Sequence, residues 1–173
     1  LHYLQNLTAS KPYLGVQRVD VERAADFAEL HGRFDTVLCL NVLEHVVDPL
    51  QALRNMHSAL APGGKLVLYV PYGQSLYSSL DEVLGHRCRY DRAMLARELA
   101  TAGFELVEER FFNRAAVPGW WWNGRILKRR SFSRVQLKLF DLAVPILRRI
   151  DRLLPWRGLG LIAIARRIEP PTA

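Results

Sequence analysis

Val37-Leu38-Cys39-Leu40-Asn41-Val42-Leu43-Glu44-His45-Val46 is an apolar run that turns polar at Asn41. Further on, Leu60-Ala61-Pro62-Gly63-Gly64-Lys65-Leu66-Val67-Leu68 starts a second apolar run from a Pro-Gly-Gly turn. The first stretch reads as a buried strand entering a short polar turn, and the second as a turn feeding another buried strand. Between them Asp48-Pro49 marks a helix start, an N-cap followed by a first-turn proline. Leu50, Leu53, Met56, His57 and Leu60 then recur at helical spacing. This strand–helix–strand unit puts polar residues at the carboxyl end of a strand, where open α/β sheets bind ligands. A glycine-rich loop completing such a site is expected upstream, and the chain begins too late to hold it.

Working outward, residues 1–10 read as the end of a helix, and Tyr13 to Val21 as a strand ending at Asp20. Ala24 to His31 reads as a short helix stopped by Gly32. Phe34 to Leu40 is almost continuously apolar, which predicts burial on both faces. Lys65 to Val70 is the next strand, ended by Pro71, and Tyr72 to Tyr90 reads as a loop. Arg92 to Ala102 is a helix with Met94, Leu95, Leu99 and Ala102 inward, capped by Asp91 and stopped by Gly103. Phe104 to Phe112 and Leu159 to Ala165 are further strands. The alternation predicts an α/β fold with a largely parallel sheet.

With 173 residues, half of them apolar, the chain has material for one domain and a sizeable core. Cys39 and Cys88 lack metal-ligand spacing, and Cys39 reads as a small buried hydrophobe. Without a disulfide framework, signal peptide or membrane-spanning run, the expected location is the cytoplasm. Because the first residue is Leu1, a fragment or processed product is expected. Charge is uneven: residues 1–124 carry a net −2 and residues 125–173 a net +9. In that basic region Val135, Leu139, Leu142, Ile146, Ile150 and Leu153 recur at three- and four-residue steps, in a helix from Val135 to Leu154. Leu137, Phe140, Val144 and Leu147 form a second row, and Pro145 is expected to kink the helix. Such a helix suits peripheral contact with the inner face of an anionic membrane, and equally an ordinary helix covering the sheet. The tryptophans are clustered at 120–122 rather than spread along a groove, which argues against nucleic acid.

Phe34-Asp35-Thr36-Val37, Leu43-Glu44-His45-Val46, Leu60-Ala61-Pro62-Gly63-Gly64 and Ala102-Gly103-Phe104 together resemble the class I S-adenosylmethionine-dependent methyltransferases. The likeness covers the C-terminal two-thirds of such a domain. It continues through Leu84-Gly85-His86-Arg87-Cys88-Arg89-Tyr90, the tryptophan run and Asn123-Gly124-Arg125, which resemble bacterial methyltransferases of glycan and lipid-linked sugar metabolism. The resemblance implies a Rossmann-like sheet of order 3-2-1-4-5-7-6, here without its first strands. It also implies a helical, aromatic and basic insertion at residues 113–157 before the last strand. The missing part is a βαβ unit of roughly 30 residues, and its loss leaves strand Phe34–Leu40 with an unpaired apolar edge. The implied cofactor is S-adenosylmethionine, and the implied acceptor a small molecule, glycan or lipid-linked sugar. The rival reading is a non-catalytic remnant that binds a membrane surface or a protein partner through residues 113–157.

By the same resemblance, Asp20 and Val21 fall where an adenine amino group and ring are held, or Asp20 is a solvated acid ending a strand. Leu40 and Asn41 fall beside the sulfonium and amino-acid end of the cofactor, unless Asn41 only caps the turn. Glu44 and His45 match a segment that in some relatives binds a divalent metal with a further acid. Asn41 stands in place of that acid, so no metal is expected; the pair is otherwise a helix-start element, with His45 lining the site or carrying a proton. In the following loop, His86 is a candidate base, and Tyr72, Tyr77, Arg89 and Tyr90 are candidate acceptor contacts. Arg89 could grip an anionic group bidentately, or Arg89 and Tyr90 could brace the loop.

Overall fold

The computed structural model describes residues 13–169, together with Thr8 and Lys11. The helix expected over 1–10 therefore lies outside the described residues. Four strands, β1 (Phe34–Leu40), β2 (Leu60–Pro71), β3 (Phe104–Phe112) and β4 (Gly160–Arg167), form one sheet of order β1-β2-β4-β3. That order equals the 4-5-7-6 half of the sheet implied by the resemblance. Only β1 and β2 pair in parallel, and β4 runs antiparallel to both β2 and β3. The largely parallel sheet is therefore corrected to a mixed one. The chain returns from the far side through residues 113–159 and enters between β2 and β3 from the opposite end.

Helix α1 (Pro49–Ala59) starts where Asp48 accepts a hydrogen bond from the Gln51 amide, with Pro49 in its first turn. Helix α2 (Ser79–Leu84) is short, and α3 (Arg92–Thr101) starts where Asp91 accepts from the Met94 amide. Leu53 and Met56 of α1 and Leu95 and Leu99 of α3 join Leu66, Leu68, Val70, Ala163, Ala165 and Phe104 in one core. Along β2 the alternation is plain: Leu66, Leu68 and Val70 face these helices, while Lys65, Val67 and Tyr69 face the other way. On that other face Leu38 is 65% exposed and Leu40 52%. Burial of β1 on both faces is thus corrected: only Cys39 of this strand is buried. Among the described residues β1 pairs with β2 alone. Burial, and secondarily the nearby Glu44 carboxylate, push the Cys39 thiol up to about 12.

Three further expectations change. Tyr13 to Val21 forms no strand, because no neighbouring strand takes up its backbone groups among the described residues. Residues 24–30 are a 3₁₀ helix with only Phe27 buried. The segment Tyr72 to Tyr90 is not a plain loop, since it contains α2 and a 3₁₀ turn at Gln74–Leu76. The basic region contributes α4 (Val117–Trp121), a π-helical turn at Trp122–Ile126, and α5 (Arg134–Ile150), which runs through Pro145.

Gly103 closes α3 with φ at +89°, and a Cβ there would lie 2.8 Å from the ring of His57. Both the left-handed backbone and this close approach require glycine. Gly103→Ala is expected to destabilise the fold by about 1–3 kcal/mol, read as a lower denaturation midpoint in chemical unfolding.

Candidate active site

The carboxyl ends of β1 and β2 open onto a cavity of about 360 Å³ lined by Asn41, His45, Tyr69, His86, Arg89, Trp120 and Leu159. Asn41 adopts φ of 53°, a left-handed turn that asparagine tolerates, and its amide donates to the Tyr69 carbonyl at 3.0 Å. Asn41 therefore both makes the turn and lines the cavity. The next turn packs Glu44 inward with no exposure, and neither of its carboxylate oxygens has a hydrogen-bond partner. An unpaired buried carboxylate is costly. The groups nearest to compensate are two imidazoles, with His86 Nε2 at 3.9 Å and His45 Nε2 at 4.0 Å from Glu44 Oε1.

His86 is held from its other side. Its Nδ1 lies 2.9 Å from Asp81 Oδ1, and because a carboxylate only accepts, this nitrogen carries the proton. Nε2 is then left with its lone pair, 3.9 Å from Glu44 Oε1, on a ring that lines the cavity. Asp81 also accepts from Arg89 Nε at 2.8 Å and from the Ser78 amide at 2.9 Å. Burial works against the Asp81 carboxylate, but the His86 hydrogen bond and the Arg89 guanidinium outweigh it and hold the carboxyl below its ordinary value. Burial lowers the Arg89 guanidinium, and Asp81 opposes that shift. His45 is anchored by its Nδ1, 3.1 Å from the Gly85 carbonyl.

The acceptor contacts expected from sequence divide. Arg89 lines the cavity but is 2% exposed, spends Nε on Asp81 and Nη1 on the Tyr72 carbonyl, and stacks under Trp120 at 4.7 Å. Two of its three nitrogens are thus engaged by the protein, which supports the bracing role. Tyr90 has no exposure, and its hydroxyl donates to the Leu43 carbonyl. The Tyr77 hydroxyl donates to the His86 carbonyl at 2.8 Å. Tyr72 is buried, with Arg157 donating to its hydroxyl on the β3 side of the sheet. These three tyrosines hold the loop and do not line the cavity. Asp81, Tyr69, Trp120 and Leu159 were missed; only Ser78-Ser79-Leu80-Asp81, a helix-start pattern, carried a signal.

The cofactor candidates lie across the end of β1. The Asp20 carboxylate accepts from the Glu22 amide at 3.0 Å, and the Val21 carbonyl accepts from Asn55 Nδ2 at 2.8 Å. Glu22 in turn accepts from the amides of Val47 and Asp48, which fastens this segment to the start of α1. Val21 borders an apolar cavity of about 320 Å³ with Phe27, Val37 and Val42. Leu40 lines neither cavity. Donor atoms of Glu44, His45 and His86 all lie within 4.8 Å of one another, close enough for a divalent cation to bridge them. A second apolar cavity of about 350 Å³ lies under α5, between Phe132, Leu137, Phe140 and Leu147, and shares Trp120 and Leu159 with the polar one.

A family model described as a methyltransferase domain matches residues 7–109. A ubiquinone biosynthesis O-methyltransferase of Pseudomonas paraeruginosa is 37% identical over 68 residues, which is 39% of this chain and 27% of the relative. One of the same name from Xanthomonas euvesicatoria is 56% identical over 41 residues, 24% of this chain and 17% of the relative. The chain thus spans about a quarter or less of the curated relatives it matches. Among solved structures, a methyltransferase of Bacillus halodurans described as putative superposes with a TM-score of 0.56 at 16% identity, covering 96% of this chain and 87% of the other. An S-adenosylmethionine-dependent methyltransferase of Mesorhizobium loti gives 0.59 at 18% identity, over 95% and 75%. At such identities these structures establish the fold.

Asp81 is expected to be the acid-sensitive anchor of the site. Its carboxyl sits below its ordinary value in the fold. The stabilisation is therefore complete above the ordinary carboxylate range and lost as pH falls through the folded-state value. Asp81→Asn should cost about 3–5 kcal/mol at neutral pH by leaving Arg89 buried without its partner. The gap between variant and parent in chemical denaturation should narrow in acid.

Proposed function

Because the chain belongs to the methyltransferase-domain family, we propose that it transfers a methyl group from S-adenosylmethionine to a hydroxyl of a small molecule, with His86 as the base. The observation that carries this reading is the Asp81–His86 pair, whose imidazole lines the cavity at the carboxyl ends of β1 and β2. The donor supplies an electrophilic methyl on a sulfonium. Residues present suit its parts: the apolar cavity beside Val21 and Val42 fits a purine face, Asp20 offers an acceptor next to it, and Asn41 stands toward the polar cavity.

With donor and acceptor bound, His86 Nε2 would take the proton of the attacking hydroxyl, and the donor would supply the methyl that the oxygen receives. The imidazolium then lies between Asp81, hydrogen-bonded at 2.9 Å, and the unpartnered Glu44 carboxylate at 3.9 Å. The Glu44 carboxylate, which has no hydrogen-bond partner, lies beside the nitrogen that receives the proton. Trp120 and Leu159 form an apolar wall that keeps water from the reacting oxygen. In-line positioning contributes the larger share of the rate.

We read the acceptor's chemistry from two neighbouring cavities that share Trp120 and Leu159 in their linings. A polar end beside His86 and an apolar remainder in the chamber under α5 suit a hydroxylated ring or sugar carrying an apolar tail. This favours a lipid-linked acceptor over a bare glycan, and it accords with relatives named for O-methylation in ubiquinone biosynthesis.

In the full-length protein, His86→Gln is expected to lower kcat by roughly 10²- to 10⁴-fold, with S-adenosylhomocysteine affinity unchanged in calorimetric titration. An unchanged kcat would remove His86 from the chemistry. Loss of turnover on adding a chelator, restored by a divalent cation, would assign His86 and Glu44 to that cation instead. Asp20→Ala should weaken the same titration without altering kcat at saturating donor.

A further inference from the structure

Helix α5 carries two apolar rows that meet different surroundings. The inner row, Leu137, Phe140 and Leu147, lines the chamber against Trp120 and Phe132. The outer row is open to solvent: Val135 is 66% exposed, Leu139 62%, Leu142 78%, Ile146 64% and Leu153, just past the helix end, 80%. At about 100° per residue the outer row falls in one narrow strip along the helix. Arg134, Lys138, Arg149 and Arg152 fall together on the flank next to it, and all four are exposed. A run of large aliphatic side chains left in water beside a cationic flank has no use in the core, because it does not face the core.

We propose that α5 lies in the plane of an anionic lipid surface, with the strip from Val135 to Leu153 in the acyl boundary and the flanking cations on the headgroups. Charge selects this occupant. Helix α5 itself carries Arg134, Lys138, Arg148 and Arg149 against Asp141 alone, a net +3, so a second copy docked strip to strip would bring two cationic flanks together. A nucleic acid would use the cations and leave the strip in water. An anionic bilayer takes both at once. No helix among the described residues is long and apolar enough to cross a membrane, so the contact is interfacial. The inference does not depend on the methyl-transfer chemistry, but it places the helix that roofs the apolar chamber against a source of lipid-like molecules.

The test is sedimentation of the full-length protein with vesicles of phosphatidylcholine alone and with added phosphatidylglycerol, at low and high salt. Binding is expected to the anionic vesicles and to weaken as salt rises. The combined variant Leu139→Glu, Leu142→Glu, Ile146→Glu should bind them at least ~10-fold more weakly, with an unchanged circular dichroism spectrum and unchanged S-adenosylhomocysteine affinity. Equal sedimentation of parent and variant would overturn the proposal. So would a concentration-dependent dimer, lost in the variant, without vesicle binding; that result would assign the strip to a second copy. Failure of methyl transfer with vesicle binding intact would instead count against the proposed chemistry alone.

Discussion

The polar half of this structure depends on one buried carboxylate. Asp81 has no exposure, yet it accepts from His86, Arg89 and the start of its own helix. Arg89 carries the connection onward to the carbonyls of Tyr72 and Leu159 and to the face of Trp120. Three parts of the chain, residues 72–89, Trp120 and Leu159, therefore meet at the Asp81–Arg89 pair. A half-satisfied network of this kind would be worse than an apolar core, so its members are committed together. Arg89, which the sequence offers as an acceptor contact, spends Nε and Nη1 in this network, and the His86 ring lines the cavity beside it.

The apolar half depends on β2. It is the only strand paired on one side in parallel, to β1, and on the other antiparallel, to β4. Its inward residues Leu66, Leu68 and Val70 meet both long core helices, and its end at Pro71 leads directly into the polar network. The site thus sits where the parallel part of the sheet stops and the antiparallel part begins. That junction is a place where neighbouring loops diverge and leave a crevice.

Local signals in the sequence were read well where one residue decides the matter. Asp48 and Asp91 cap the helices they precede, Gly103 ends its helix, and Phe104–Phe112 is a strand over its expected length. Signals that need a distant partner were not legible. Tyr13 to Val21 has strand composition but no strand beside it among the described residues, and a β-strand exists only through its neighbours. Helix α2 is six residues long, too short to form on propensity, and stands because Asp81 is held from three directions. Asn41 and His86, singled out by their place after a strand and in a His-Arg-Tyr cluster, both line the polar cavity. Nothing local distinguished an arginine that faces a cavity from one paired to a carboxylate eight residues earlier. Trp120 and Leu159 reach the site only because the return of the chain to β4 carries them there.

Cys39 sits one residue from the end of a strand whose other side is open, yet its thiol is buried and pushed to about 12. Cys88 is partly covered and raised as well, chiefly by burial. Thiolate is the reactive form, so neither sulfur offers much of it at neutral pH. A maleimide or disulfide reagent should therefore pass over the folded chain and label it only as it opens. The two cysteines would then act as a built-in clock for unfolding.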